Sequence, residues 1–550
     1  MKTTYRKYFS LLLAPVLITV GACKKLDDIK PESTLTDAGY WNSTDDLKNA
    51  SNYFYTFLPV IQANNHTAWS NEGANTAADI LPVSDGSRVA PATTTDWTDN
   101  YRLIRACNKL LENSSRVSGD ARLINRYNGE ARFFRAWAYF NMVQRFGDVP
   151  LILRTFDIDD DLNVASRTPR EEVLDAIYTD LDYAAANMYK ASQLVADEYG
   201  RATSAAALAL KARVALFAGT FNKYHNKGNA NKHLELAVSA SETLMNSGEC
   251  ALFNYAAKPD SSYYYLFRYE GEGANNKEVL LVRFYGNNVS SVVAAHNYTR
   301  EMDINAGPNP TQELVNAYLY TDGLPKEKSS LYQSPVNTMT EFQNRDPRLG
   351  MTIFNQNHTY YTSRYAPGAG AFRSRKYFIY NAAEIGAKQS FIDNILIRYA
   401  EVLLSFAEAK YELNGSISDA DLDKSINLLR ARAKMPVKLT NALVTTNELN
   451  MRDEIRRERR VELATELDHA YWNLIRWKTA ETELPKELLG RKYFPSEMGQ
   501  ITDPGMINPD GYIILQKAAN RTFNPAKDYL WPLPTKELGI NPNLVQNPGW

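Results

Sequence analysis

The chain has 550 residues, enough for two to four average domains or one large helical assembly, and 44% of them are hydrophobic, so a sizeable core is available. A formal net charge of -1 argues against a nucleic-acid binder, which needs a basic surface to displace counterions from phosphates, and no block of like charge marks a polyionic tail. The 34 Tyr and 8 Trp exceed what an aliphatic core requires; their flat faces and polar edges suit interhelical packing, and also sugar or peptide ligands.

Lys2, Arg6 and Lys7 precede a short apolar run from Phe9 to Val20 that ends in Val20-Gly21-Ala22-Cys23. The run is too short to span a bilayer and has the parts of a secretory signal. A Cys directly behind small residues resembles the bacterial lipobox, so residues 1–22 are expected to be removed and Cys23 lipidated. Each buried acyl methylene is worth ~0.8 kcal/mol, and several chains on one Cys give a stable anchor in membrane lipid. Residues 23–43 then read as a short polar tether. Of the remaining cysteines, Cys107 lies inside the helical pattern YRLIRACNKLL, which favours a buried free thiol over a bridge to Cys250.

From residue 44 to 550 we expect one unit. Thr44 to Ile61 is helical, with Ser43 or Thr44 as cap. Asn64 to Thr95 is polar, has no period, and carries Trp69; a long loop of this kind is more often functional than idle. From Asp96 the pattern is helical again. The helix ending at Gly147 before Pro150 shows Tyr127, Ala131, Phe134, Ala138 and Met142 on one face. Another starts near Pro169 and runs to about Tyr189. Ser204 to Ala218 and Lys232 to Met245 form a pair whose Ala205, Ala209, Ala212 and Ala215 allow close approach, as in a tetratricopeptide-like hairpin without the strict repeat.

The middle, about 251–393, is irregular, with EVLLVRFYG as a short strand. Helices resume at Asn394 in ILIRYAEVLLSFAEAKYELNG and continue over Asp419 to Ala433. The strongest pattern is Asp453 to Trp477. Leu463, Leu467, Tyr471, Leu474 and Trp477 recur on one helical face, and Glu454, Glu458, Glu462 and Glu466 form a row interleaved with arginines on another. This predicts a single helix with an apolar side and an ionic side that is either solvated or interhelical, its charges serving solubility and pairing.

No nucleotide-binding loop, GxSxG or HExxH is present, and GEGANN (271–276) fails the dinucleotide fingerprint. The six His include no i, i+4 pair, so no metal site or cofactor is expected. With 63 acidic residues, some two carboxylates will stand at glycosidase spacing by chance, so such a pair is uninformative. Sugar recognition needs an aromatic platform with amides, carboxylates or guanidinium nearby. Two regions supply that mixture. One is the first loop, with Trp69, Asn71, Glu72, Asp79, Asp85, Arg88 and Trp97. The other is the middle part, with His296, Asn297, Tyr298, Arg300, Tyr360, Tyr361, Arg364 and Tyr365.

RFFRAWAYFNMVQRFGDVPLI, NPTQELVNAYLYTDG, NRDPRL, IRYAEVLLSFAEA, RRERRVELATELDHAYWNLIRW and YLWPLPTKELGINPNLVQNPGW resemble, in this order, the recurring blocks of SusD/RagB family lipoproteins. The resemblance implies a mainly α fold, a right-handed tetratricopeptide-like superhelix carrying an irregular, loop-rich ligand face. Its helical parts would be about 44–250 and 394–550. It further implies a non-enzymatic surface lipoprotein of the outer membrane that binds a nutrient, usually a glycan and occasionally a peptide. The nutrient would pass to a SusC-like TonB-dependent barrel. No ligand residue is carried over, because the family fixes none in a motif. A periplasmic helical scaffold and a secreted hydrolase are the rival readings.

Overall fold

The structure is a computed structural model that describes residues 37–61, 66–156, 165–289, 292–305 and 309–550. The expected signal sequence, Cys23 and most of the tether lie outside the described residues.

The N-terminal part is a series of helices that start and stop where the sequence places caps and breakers. Helix α1 (Thr44–Asn52) follows Ser43, whose backbone N–H donates to the Asp46 carboxylate at 2.8 Å. Helix α2 (Thr95–Asn113) begins at Thr94, which accepts the Asp96 N–H, and α3 (Ala121–Phe146) begins at Asp120. Helix α3 stops at Gly147, whose φ of +73° suits a residue without a Cβ. Helices α4 (Arg170–Asn187), α5 (Ser204–Tyr224) and α6 (Ala230–Met245) continue the array, each packed on the one before. The small residues of α5 do what their spacing implies. A Cβ added at Gly219 would stand 2.8 Å from Leu234 Cγ on α6. Helix α5 is long and apolar enough to cross a bilayer, yet it is mostly buried in the helical core.

The middle part is built from turns, short helices and strands. Strand β1 (Val279–Arg283) is the expected one, followed by helix α7 (Tyr298–Asn305) and a hairpin of β2 (Thr359–Tyr360) and β3 (Ser363–Arg364). Strand β4 (Asn394–Arg398) pairs antiparallel with β1, and helix α8 (Tyr399–Asn414) starts only behind it. The expected helix start at Asn394 is therefore corrected. The three residues between Asn394 and Arg398 are all apolar and the five are buried at every position, a run in which period 2 and period 3.6 look alike. An aromatic core that includes Tyr263, Phe267, Tyr298, Phe354 and Phe378 lies beneath this part. Cys107 is buried and Cys250 partly so, both as free thiols.

The stretch expected as one helix over 453–477 is two: α9 (Met451–Glu462) and α10 (His469–Arg476), with Thr465 (φ +59°) and Leu467 (φ +49°) in the turn between. The break has a cause in the surroundings. The Glu462 carbonyl at the end of α9 accepts Arg398 Nη2 at 2.7 Å and Tyr263 Oη at 2.8 Å instead of a next helical N–H. The turn that follows delivers Glu466 to Lys376 Nζ (2.6 Å) and Arg398 Nη2 (2.8 Å).

The ionic row is not a solvated face either. Glu454, Glu458, Glu462 and Glu466 are all buried. Glu458 and Glu462 hold Arg348, Glu458 holds Arg430, and Glu462 shares Arg398 and Arg432 with Glu278. Asp346 closes the fork on Arg348 at 2.7 Å. Arg348, Arg398, Arg430, Arg432 and Lys376 thus balance Asp346, Glu278, Glu458, Glu462 and Glu466 in a water-poor interior. Burying this many charges is tolerated only when each is met by an opposite one, and here each is.

Buried pairs of this kind carry an acid signature. Burial alone would raise the Glu401 and Glu408 carboxyls. Arg213, His469 and Arg459 around Glu401, and Arg476, Arg459 and Trp477 around Glu408, outweigh it and pull both down to about 2. A folded value below the unfolded one of ~4.5 means stability that is full above that pH and falls as pH drops from there toward 2. Urea midpoints measured from pH 6 to pH 2.5 should decline through this window. The decline should be shallower in Glu401→Gln, and an identical pH slope in that variant would refute the assignment.

Candidate functional site

Two surfaces of the molecule combine aromatic rings with hydrogen-bonding groups. The first is a cleft of about 700 Å³ bounded by α2, α3, α5, the segment after α1, and the α9–α10 turn. Tyr53 (45% exposed) and Phe57 stand at its mouth with Asp99 and Arg102. Asn141, Gln144, Arg145, Asp468 and His469 lie further in. Arg145 bridges the walls, with Nε 2.9 Å from Asp96 Oδ1 and its guanidinium over Trp472. Burial holds His469 at about 4 despite Glu401, so it is neutral at pH 7 and offers a donor and an acceptor. Burial also lowers His66, whose ring stacks on Trp69 at 3.7 Å.

The second surface is an aromatic platform on the middle part. Tyr360 stacks on Phe378 (5.0 Å, 20°), and Tyr361 meets Phe378 and Tyr380 edge to face at 5.3 and 5.4 Å. Tyr380 is 43% exposed. Tyr361 occupies the first of the two turn positions between β2 and β3, at φ +52°, where glycine is the usual choice. A bulky side chain there costs ~1 kcal/mol, and the Tyr361 hydroxyl is anchored by donating to the Thr299 carbonyl at 3.1 Å. Strain is thus accepted to hold an aromatic ring at a hairpin tip.

The residues singled out in the sequence fall into three groups. Trp69 and Trp97 are 4% and 5% exposed, and their rings serve packing: Trp69 against Tyr471 and Trp531, Trp97 against Tyr101 and Phe146. Both segments still reach the cleft, through His66 in one and Asp96, Asp99 and Asn100 in the other. Asn71, Glu72 and Arg88 are buried as well, bonded to Glu483, Arg460 and Asp528 respectively. Asp79 is exposed but contributes to neither surface. Tyr298 is buried at the cleft wall, donating to the Lys376 carbonyl at 3.3 Å.

Tyr360, Tyr361 and Arg364 are on the platform, while Tyr365 lies beneath it, accepting from Arg491 Nη2 at 3.0 Å. Arg300 lies in the first turn of α7, with its Nε buried and unbonded among the described residues. Tyr380, Arg373 and Arg375, in the same aromatic run as Tyr360, belong with them and were not singled out. The run HTYYTSRYAPGAGAFRSRKYFIY held the signal, because it interleaves Tyr and Arg without a period. Among the described residues no three His, Cys, Asp or Glu side chains are placed to hold a metal.

The comparisons with known proteins cover the whole length. A family model described as the SusD family matches residues 271–550, and one described as starch-binding associating with outer membrane matches residues 26–216. The chain belongs to the SusD family. Among SusD-like relatives, one from Formosa agariphila is 26% identical over 99% of this chain and 100% of its own, and one from Bacteroides ovatus is 25% identical over 98% and 97%. The crystal structure of a SusD-like carbohydrate binding protein from Bacteroides fragilis is 25% identical and superimposes with a TM-score of 0.76, covering 92% of this chain and 100% of that one. A laminarin binding SusD-like protein superimposes at 0.63 with 19% identity, covering 93% and 100%, which shows the same fold. The SusD assignment bears out the mainly helical, tetratricopeptide-like architecture expected from the ordered sequence blocks. The family's own description places its members with carbohydrate and the outer membrane.

Proposed function

We propose that this protein is a lipoprotein anchored in the outer membrane through Cys23, facing outward, that binds a glycan and delivers it to a SusC-like TonB-dependent transporter without chemical change. The observation that carries the ligand half is the Tyr360–Tyr361–Tyr380 platform. It offers ring faces for sugar C–H groups beside Arg364 and Arg373. A peptide ligand would draw on an open sheet edge or an apolar groove, and an arginine-flanked aromatic surface fits sugar hydroxyls better. Family models matching residues 26–216 and 271–550 support the transport half.

Tyr380→Ala is expected to weaken glycan binding about tenfold while barely moving the melting temperature, because the ring is half in solvent and its loss opens no cavity. Isothermal titration against starch oligosaccharides and laminarin, alongside thermal unfolding, checks this; undiminished affinity would rule the platform out. The cleft supports a second reading, since its volume suits one or two sugar rings and its lining is amphipathic. Asn100→Ala separates the two, as it touches the cleft only. For the transport half, cells lacking this protein should import the glycan more slowly, and protease added to intact cells should remove it from the surface.

A further inference from the structure

Several arginines around the platform share one feature, the lack of a carboxylate partner among the described residues. Many buried or half-buried guanidinium groups elsewhere meet a carboxylate, as Arg213 does Glu401, Arg476 Glu408, Arg201 Glu130 and Arg135 Asp180, while single ones such as Arg521 bond neutral groups. Around the platform Arg300, Arg364, Arg373 and Arg375 make no ion pair among the described residues, and those with bonds use neutral partners. Arg364 donates to the Asn357 carbonyl, and Arg373 to the Met302 carbonyl and the Tyr360 hydroxyl. Arg375 donates to the Gly350 carbonyl and contacts His358 Nε2 at 3.2 Å. The nearby carboxylates are engaged otherwise, Glu384 by the Tyr269 hydroxyl and Glu497 by Thr338. His358 registers the resulting field: burial first, then Arg375 and Arg364, hold it at about 4.

We propose that the platform takes an acidic glycan, one whose rings carry carboxylate or sulfate-ester groups, with Arg364 and Arg373 pairing with its charge and Tyr361 and Tyr380 receiving its ring faces. This rests on the carbohydrate-binding reading above and narrows it to a substrate class. A guanidinium held only by neutral acceptors keeps its charge uncompensated, and an anion with two oxygens in one plane compensates that charge and matches the guanidinium fork. The half-exposed rings supply the apolar contact that keeps the pairing from being a loose surface encounter.

The test titrates the mature full-length protein with polygalacturonate oligosaccharides, sulfated carrageenan oligosaccharides and neutral laminarin at two salt concentrations. The expected result is that at least one acidic series binds tenfold or more tightly than laminarin, with affinity falling as salt rises. Arg364→Gln, at an exposed position that leaves the core intact, should then lose about tenfold on the acidic ligand and little on any neutral one, and Arg373→Gln should follow it. Lys536→Gln, a distant exposed cation, should change nothing, which excludes general polyanion attraction. Laminarin binding as tight as the acidic ligands, or acidic binding unaffected by Arg364→Gln, overturns the proposal and leaves the carbohydrate-binding reading standing. Binding of none of the three overturns the proposal, and absence of binding to starch oligosaccharides as well overturns the carbohydrate-binding reading with it.

Discussion

Glu462→Gln is expected to lower the unfolding free energy by about 3–5 kcal/mol, the usual consequence of removing one partner from a buried charge cluster. The carboxylate has no solvent exposure, and its oxygens accept from Arg348 Nη1 at 3.0 Å, Arg398 Nη1 at 2.7 Å and Arg432 Nη2. An amide keeps the size of the side chain but turns an NH2 group toward guanidinium groups and leaves a positive charge uncompensated in the interior. Urea unfolding at pH 7 measures the effect. A loss below about 1 kcal/mol would mean that the cluster is hydrated or loosely coupled, contrary to its geometry. The reverse comparison is as informative. Replacing an exposed ion pair, such as Lys438 with Asp423, should change stability by less than about 1 kcal/mol.

Trp69→Ala is expected to destabilise the fold by about 3–5 kcal/mol. Its indole is sandwiched by Tyr471, Trp531 and His66, so truncation leaves a cavity where the first loop meets α10 and the C-terminal segment. The loss should appear as a lower denaturant midpoint with an unchanged slope, because the native contacts elsewhere persist. The effect on ligand affinity of the molecules that remain folded should be small next to that of Tyr380→Ala. An unchanged midpoint in Trp69→Ala would show that the loop is not tied to the core as the ring contacts indicate.

Local signals in the sequence carried the helices well, because caps and stops act within a few residues. Gly147 ends α3 and Pro169 precedes α4 as their backbone preferences require. What failed to read through depended on distant partners. Nothing near Trp69 in the chain shows that Tyr471 and Trp531 will close over it. The glutamate row of α9 looks like a surface pattern until Arg348, at the start of a short helix, and Arg398, at the end of β4, are seen to meet it. The α9–α10 break likewise follows from Arg398 and Tyr263 capturing a carbonyl. For the platform, the composition of the run from 358 to 380 pointed to the right segment. The choice among its tyrosines needed the tertiary structure, which buries Tyr365 and Tyr377, leaves Tyr360 and Tyr361 half-buried at the hairpin and exposes Tyr380.

The ion cluster also orders events in time as the chain is made. Arg348 and Lys376 leave the ribosome long before Glu458, Glu462 and Glu466, their partners on and just after α9. Until that late segment arrives, closing the middle part would trap bare charges, so it must remain open and hydrated while the N-terminal helices are free to pack. On the proposed route to the outer membrane the chain passes through a membrane as an extended thread, and a fold that cannot close before its last fifth is present stays threadable for most of its length. The glutamates of α9 therefore act as a late latch, and a fragment ending before Met451 should lack a closed middle part altogether.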